Sequence, residues 1–189
     1  MTLCRIIFAY HVPRQTNPQT LSNDGPSFLK DIPVRAGGRP RLMPRTLPQR
    51  QRPEPIEPST KVELMSLMRR MASQRPDILE TRPSLTEGRT ADGLYVRKNY
   101  DKVNPIVAAN RALKYEIGHA HPTESSLHIF LSEADARKII EARWGQRFCL
   151  PHAHLRGWTM IYAPRNEAEL ALVEEFVKAS VRWATEVSI

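Results

Sequence analysis

The sequence predicts an α+β fold: a small sheet packed with helices, forming a single compact domain behind a proline-rich N-terminal arm. Three observations carry that expectation. Segments of helical and strand periodicity alternate through the second part of the chain. Most of the 16 prolines precede Ser59, so the composition shifts along the chain. At 189 residues and 41% hydrophobic content, one buried core is affordable and no internal repeat asks for a second. The expected division is 1–58, a largely irregular basic arm, and 59–189, the folded domain.

Within 11–58, prolines from Pro13 to Pro58 remove backbone donors so often that neither a helix nor a central strand can run. Phe28, Leu29, Ile32 and Val34 can still anchor the arm by burial. The first helix is expected to start at Ser59 or Thr60, where Thr60 and Glu63 have capping-box spacing. Leu64, Leu67, Met68 and Met71 follow at helical spacing until Pro76, and core packing explains this stripe better than a flexible ligand surface. Gly93–Arg97 reads as a strand after the Asp92-Gly93 turn signal. Pro105 opens a second helix carrying Ile106, Val107, Ala109, Leu113 and Ile117, ending near Gly118. From Ser126 to Leu131 the pattern alternates, with Leu127, Ile129 and Leu131 on one face and Ser126, His128 and Phe130 on the other. Ser132 caps a third helix, with Asp135 at capping-box distance and Gly145 past its end. Trp158–Ala163 is a further strand closed by Pro164. Asn166 caps the last helix, which turns Leu170, Val173, Phe176, Val177, Val181 and Ala184 inward.

A net charge of +8 raises the question of nucleic acid or an anionic membrane. Arg35, Arg39, Arg41, Arg45, Arg50 and Arg52 have no interleaved aromatics, and no zinc-finger, ribonucleoprotein or helix-turn-helix signal accompanies them, so no nucleic-acid partner is expected. A solvated basic arm, with weak association with acidic lipid surfaces, is the expectation instead. Two cysteines without a CxxC pair fit a reducing compartment. The opening residues are too short an apolar run to cross a bilayer and lack a signal-peptide cleavage site, so a soluble, cytoplasmic protein is expected.

The chemistry-bearing residues are histidines. His119, His121 and His128 lie close in sequence, and an H-x-H pair in extended backbone puts both imidazoles on one side. Three imidazoles on one patch suit a metal site, or a base, proton shuttle and oxyanion partner; alternatively they cap a helix end or bond a turn. Glu116 and Glu124 are near, but neither is placed as an obvious extra ligand, and no metal is expected. His152 and His154 form a second H-x-H in a loop. No G-x-S-x-G elbow exists, Cys149 has no evident activator, and Gly37-Gly38 lacks the context of a phosphate loop, so nucleotide, flavin and nicotinamide cofactors are not expected.

Four runs in order, Glu116-Ile-Gly-His-Ala-His121, Ser126-Leu-His128, Trp144-Gly-Gln-Arg147 and Tyr162-Ala-Pro-Arg-Asn-Glu167, resemble the luciferase domain of luminous fungi. The upstream segments 28–40 and 49–52 are also similar to that family. The resemblance implies an oxygenase acting on 3-hydroxyhispidin, a polyphenolic pyrone: molecular oxygen adds, carbon dioxide leaves and the excited product emits light, with no metal, flavin or ATP. It implies that His119, His121 and His128 are catalytic. Phe130, Trp144, Trp158 and Tyr162 would stack on the flat substrate, and Arg147 or Arg165 would stabilise an enolate or peroxide anion. For Arg165, pairing with a helix carboxylate stands as an equal reading. The chain departs from the family pattern twice: Phe148-Cys149 replaces the usual histidine-proline, and Arg143 replaces the glycine before the tryptophan. The alternative function is a non-luminescent homologue that binds, or transforms without oxidation, a small aromatic ligand.

Overall fold

The computed structural model describes residues 15–44, 47–150 and 153–189. Its ten regular elements are α1 (Pro58–Gln74), β1 (Leu79–Pro83), β2 (Asp92–Val96), α2 (Pro105–Ala109), β3 (Glu116–Ala120), β4 (Leu127–Phe130), α3 (Glu133–Glu141), β5 (Gly145–Arg147), β6 (Trp158–Ile161) and α4 (Glu167–Thr185). The six strands form one sheet in the order β1-β2-β3-β4-β6-β5, antiparallel at every junction. The fold is α+β, with helices and strands in separate layers.

Helices α1 and α4 cover one face of the sheet, α1 lying on β1 to β3 and α4 on β3 and β4. The stripes expected to face inward do so: Leu64, Leu67, Met68 and Met71 of α1, and Val173, Phe176, Val177, Val181 and Ala184 of α4, are all buried. Ser180 fastens α4 to the sheet, donating to the Phe130 carbonyl at 2.7 Å and to that of Ile117 at 3.2 Å. Ser132 and Asn166 cap α3 and α4 as expected, each accepting from the amide three residues on.

Several expectations are corrected. Helix α1 begins at Pro58, not at a Thr60 capping box; proline suits the first helical position because its missing amide would have had no partner there. Helix α2 stops at Ala109, because the Asn110 side chain captures the amides of Ala112 and Leu113 in a tight turn. Lys114 and Tyr115 then take positive φ, and Ile117 and Gly118 fall in strand β3. Strands β1, β3 and β5 were absent from the sequence pattern. The start of β3 also fits the helical spacing that runs from Pro105 through Leu113 to Ile117, and β5 has only three residues.

The described residues of the arm carry one short 3-10 turn, Pro18–Thr20, and an isolated bridge between Leu42 and Gln51, and they are laid on the domain. The Asp135 carboxylate does not complete a capping box; it accepts from the Ser27 hydroxyl and from the amides of Phe28 and Leu29. Leu29 is buried there, whereas Val34 is 64% exposed and not an anchor. Arg35 is buried in its place, and Arg39 donates to the carbonyls of Gly145 and Ile140. Further on, Gln49 donates to the Arg147 carbonyl at 2.8 Å, and Gln51 accepts from the Ala163 amide at 2.9 Å. The arm thus covers the sheet face that α1 and α4 leave open. Arg45 and the residues before Gln15 lie outside the described residues.

Two substitutions test the chain reversals. A Cβ at Gly157 would meet the Leu131 carbonyl oxygen at 1.9 Å, so Gly157→Ala should destabilise the protein by about 1–3 kcal/mol. Arg143 is exposed at φ 64°, where a side chain costs about 1 kcal/mol, so Arg143→Gly should raise the urea midpoint. Equilibrium urea unfolding of both variants checks the two signs.

Candidate functional site

The sheet register builds the site. His119 pairs with His128, and His128 with Met160; directly opposed residues of antiparallel strands project to the same face. His121 follows the end of β3, and a turn closed by its amide on the Ser126 carbonyl at 2.8 Å returns its ring to the cluster. The three ring centroids lie 5.0 to 5.4 Å apart. Their inner nitrogens are closer: His119 Nε2 to His121 Nε2 is 3.2 Å, and His121 Nε2 to His128 Nδ1 is 3.1 Å. All three residues are buried.

Each outer nitrogen faces an acceptor. Glu116 Oε1 stands 2.9 Å from His119 Nδ1, and Glu124 Oε1 stands 2.6 Å from His121 Nδ1. Gln49 Oε1 stands 3.2 Å from His128 Nε2. The orientation of the Gln49 amide is set because its nitrogen donates to the Arg147 carbonyl and to Gln15 Oε1. Carboxylates cannot donate, so His119 and His121 carry their protons on Nδ1 and His128 carries its proton on Nε2. The three lone pairs therefore point at one another.

A shell of carboxylates surrounds the rings. Glu116 is fully buried and accepts from Ser84 Oγ, Thr86 Oγ1 and the Tyr95 hydroxyl at 2.6, 2.9 and 2.9 Å. Burial pushes its pKa up, but the His119, Ser84 and Thr86 hydrogen bonds outweigh that and hold it below the usual carboxylate value. The same contest at Glu124, between burial and the partners His121 and Arg50, ends the same way. Arg50, from the arm, pairs with Glu87 and with Glu124 Oε2, the latter at 3.0 Å. The other oxygen of Glu87 lies 3.8 Å from His119 Nε2 and 3.7 Å from His121 Nε2. Burial lowers the pKa of His121 to about 4, and burial together with His121 and His119 lowers that of His128 well below the usual value.

Beside the cluster is a cavity of about 230 Å³, lined by the polar residues His119, His128 and Glu87 and by the apolar residues Trp158, Phe148 and Leu113 among others. The Trp158 indole lies parallel to the His128 ring, 5.7 Å between centroids with 5° between planes. Phe148 meets the same imidazole edge-on at 5.4 Å.

The residues singled out from sequence divide into those the structure gathers here and those it does not. His119, His121, His128 and Trp158 come together. Phe130 sits behind Trp158, edge-on at 6.1 Å, and packs against Trp183. Tyr162 reaches the cluster only through a relay, its hydroxyl donating to Gln146, which shares Gln15 with Gln49. Trp144 belongs to the core, donating to the Pro33 carbonyl and meeting Phe176 edge-on. On β5, Gln146 is opposite Met160 and Phe148 abuts His128, so strand alternation turns the Arg147 side chain the other way. Arg165 pairs with Glu169 at the start of α4, as the second of its two readings held. Burial raises the Cys149 thiol to about 11, which keeps it protonated and a poor nucleophile. His154 is exposed and lines a separate cavity with Ser22 and Arg156; His152 lies outside the described residues. Gln49, Arg50, Glu87 and Phe148 are the members that sequence reasoning missed. For Glu116 and Glu124 a signal existed, since each is three residues from the histidine it holds.

The cluster can hold a proton network or a cation, since one nitrogen of each histidine lies within 4.8 Å of the other two. Among the described residues no helix is long and apolar enough to cross a membrane.

Comparisons with known proteins agree on one family. Residues 114–180 match the model of the luciferase domain. A luciferase of Armillaria gallica is 31% identical over 169 residues, covering 84% of this chain and 63% of the relative. A luciferase of Armillaria mellea is 32% identical over 171 residues, again 84% and 63%. A luciferase of Neonothopanus nambi is 29% identical over 169 residues, 84% of the chain and 62% of the relative. The chain therefore spans a little over three fifths of the length of these relatives. No solved structure matches.

The buried imidazoles make stability depend on pH. His121 and His128 have folded pKa values below the unfolded value of 6.5, so as pH falls below 6.5 the unfolded chain takes up protons that these two folded residues refuse. With a chelator present, unfolding free energy should be steady above pH 7 and decline below 6.5 toward about 4, by up to about 1.4 kcal/mol per pH unit for each imidazole. Urea titrations at pH 7.5 and 5.5 read the difference. A His121→Asn, His128→Asn double variant should flatten the profile.

Proposed function

Because the chain belongs to the fungal luciferase family, we propose that it is an oxygen-dependent enzyme acting on 3-hydroxyhispidin or a related phenolic pyrone. The observation that carries this reading is that His119 and His128 line the same cavity as Trp158 and Phe148, whose rings lie against the His128 imidazole. An enol becomes electron-rich enough to react with oxygen once it loses its proton, which the unprotonated Nε2 of His119 would accept. A planar pyrone between the aromatic walls would turn its enol edge to the histidine side. Oxygen then adds to the enolate carbon, and loss of carbon dioxide follows from the peroxide. The aromatic walls keep water from the intermediate. Membership in the family does not by itself carry light emission.

One observation favours the second reading, a homologue that binds or converts a small aromatic without emission. Phe148, which stands where the family pattern has histidine, lines the cavity and touches His128. A polar, titratable wall has become an apolar one, so a proton carrier is missing from the pocket.

Incubation with 3-hydroxyhispidin in air, following oxygen uptake, carbon dioxide and photons together, separates the readings. Saturable uptake that drops by about 100-fold in His128→Ala supports the oxygenase; equal rates in the two proteins would sink it. Trp158→Leu should raise KM by about 10-fold or more through lost stacking, with a smaller change in kcat. Phe148→His should raise the photon yield per oxygen consumed. Saturable binding without uptake in every variant would establish the second reading.

A further inference from the structure

We propose that His119, His121, His128 and Glu87 form a binding site for one divalent first-row transition-metal ion, with a coordination position open to the adjoining cavity. Three independent features converge on it.

The first is the commitment of the outer nitrogens. Glu116, Glu124 and Gln49 each take the N–H of one imidazole. This is the arrangement in which metal-binding histidines are held, the outer N–H engaged and the inner lone pair presented. Nothing else among the described contacts satisfies the inner nitrogens except one another. Three lone pairs directed at a common point repel unless a positive charge sits among them.

The second is distance. Two imidazole nitrogens bound to one ion at about 2.0–2.1 Å lie about 3.0–3.4 Å apart, depending on geometry. The inner nitrogens are already 3.2 and 3.1 Å apart. Glu87 Oε2, at 3.8 and 3.7 Å from two of them, needs only a small movement to complete a fourth corner.

The third is charge. Glu87, Glu116 and Glu124 are all buried, and Arg50 is the guanidinium that pairs with two of them. Three carboxylates facing one arginine leave an excess of buried negative charge, which is costly without a counter-charge. A dication balances it. The ligand set of three imidazoles and one carboxylate suits iron, copper, nickel or zinc and disfavours magnesium and calcium, which prefer all-oxygen sites.

With the ion in place, it would lower the pKa of an enol oxygen entering from the cavity, so this inference refines the proposed function without depending on it. The test uses no substrate. The untagged full chain, stripped with chelator and titrated with Co²⁺, should bind about one equivalent and develop visible ligand-field bands. Zn²⁺ should abolish those bands, and saturation should raise Tm by about 5 °C or more. His121→Asn should weaken Co²⁺ binding by about 100-fold and Glu87→Gln by about 10-fold, while His154→Asn leaves it unchanged. Should the buried variants fail to fold, the stoichiometry and spectrum of the native sequence decide alone. Less than about 0.1 equivalent bound by the folded chain, or binding lost only in His154→Asn, overturns the site; a proton shared through His121 would then fill the gap. A chain that binds cobalt but consumes no oxygen would overturn the proposed function and leave the metal site standing.

Discussion

Three imidazoles whose outer nitrogens are already engaged form the constraint around which this protein is arranged. Buried rings in that state need acceptors for their outer N–H groups, and each acceptor comes from a different part of the chain. Glu116 comes from the same strand as His119, Glu124 from the turn after His121, and Gln49 from the distant arm. The carboxylates need donors in turn, which Ser84, Thr86, Tyr95 and Arg50 supply. A buried polar network is stable only when nearly every member is satisfied, so its extent follows from its first members.

The same requirement explains how a proline-rich basic segment becomes part of the folded body. A chain with so few amide donors pairs with itself only at the short bridge of Leu42 with Gln51, and many of its other donors and acceptors are used on the domain. Asp135 gathers three donors of the arm, and Gln49 and Gln51 bond the backbone on either side of β6. Arginines that suggest a solvated surface in the sequence are placed differently: Arg35 is buried beside Trp144 and Tyr162, and Arg50 joins two carboxylates. Their positive charge belongs to the interior as much as to the surface.

The match to the luciferase domain covers 114–180, a stretch that contains the three histidines, Trp158 and Phe148. The arm residues Gln49 and Arg50, and the Glu87 turn, lie outside it. The three imidazoles of the cluster therefore come from the matched stretch, while Gln49, Arg50 and Glu87 come from segments before it. Phe148 puts an apolar ring edge-on against the His128 imidazole on the cavity wall.

Patterns confined to neighbouring residues were legible in the sequence alone. The apolar stripes of α1 and α4, the caps at Ser132 and Asn166, the alternation of β4, and the grouping of His119 with His121 and His128 all follow from side-chain periodicity and local hydrogen bonding, which neighbours along the chain determine. Strand β3 was hidden because Leu113 and Ile117 also fit helical spacing from Pro105, so its first residues read as the end of a helix. Only the folded chain could decide that Trp144, Arg147 and Arg165 belong elsewhere, and that Gln49, Arg50 and Glu87 complete the histidine cluster. Their contacts join residues distant in sequence, and such contacts depend on strand order and on the path of the arm, for which no local spacing is a proxy.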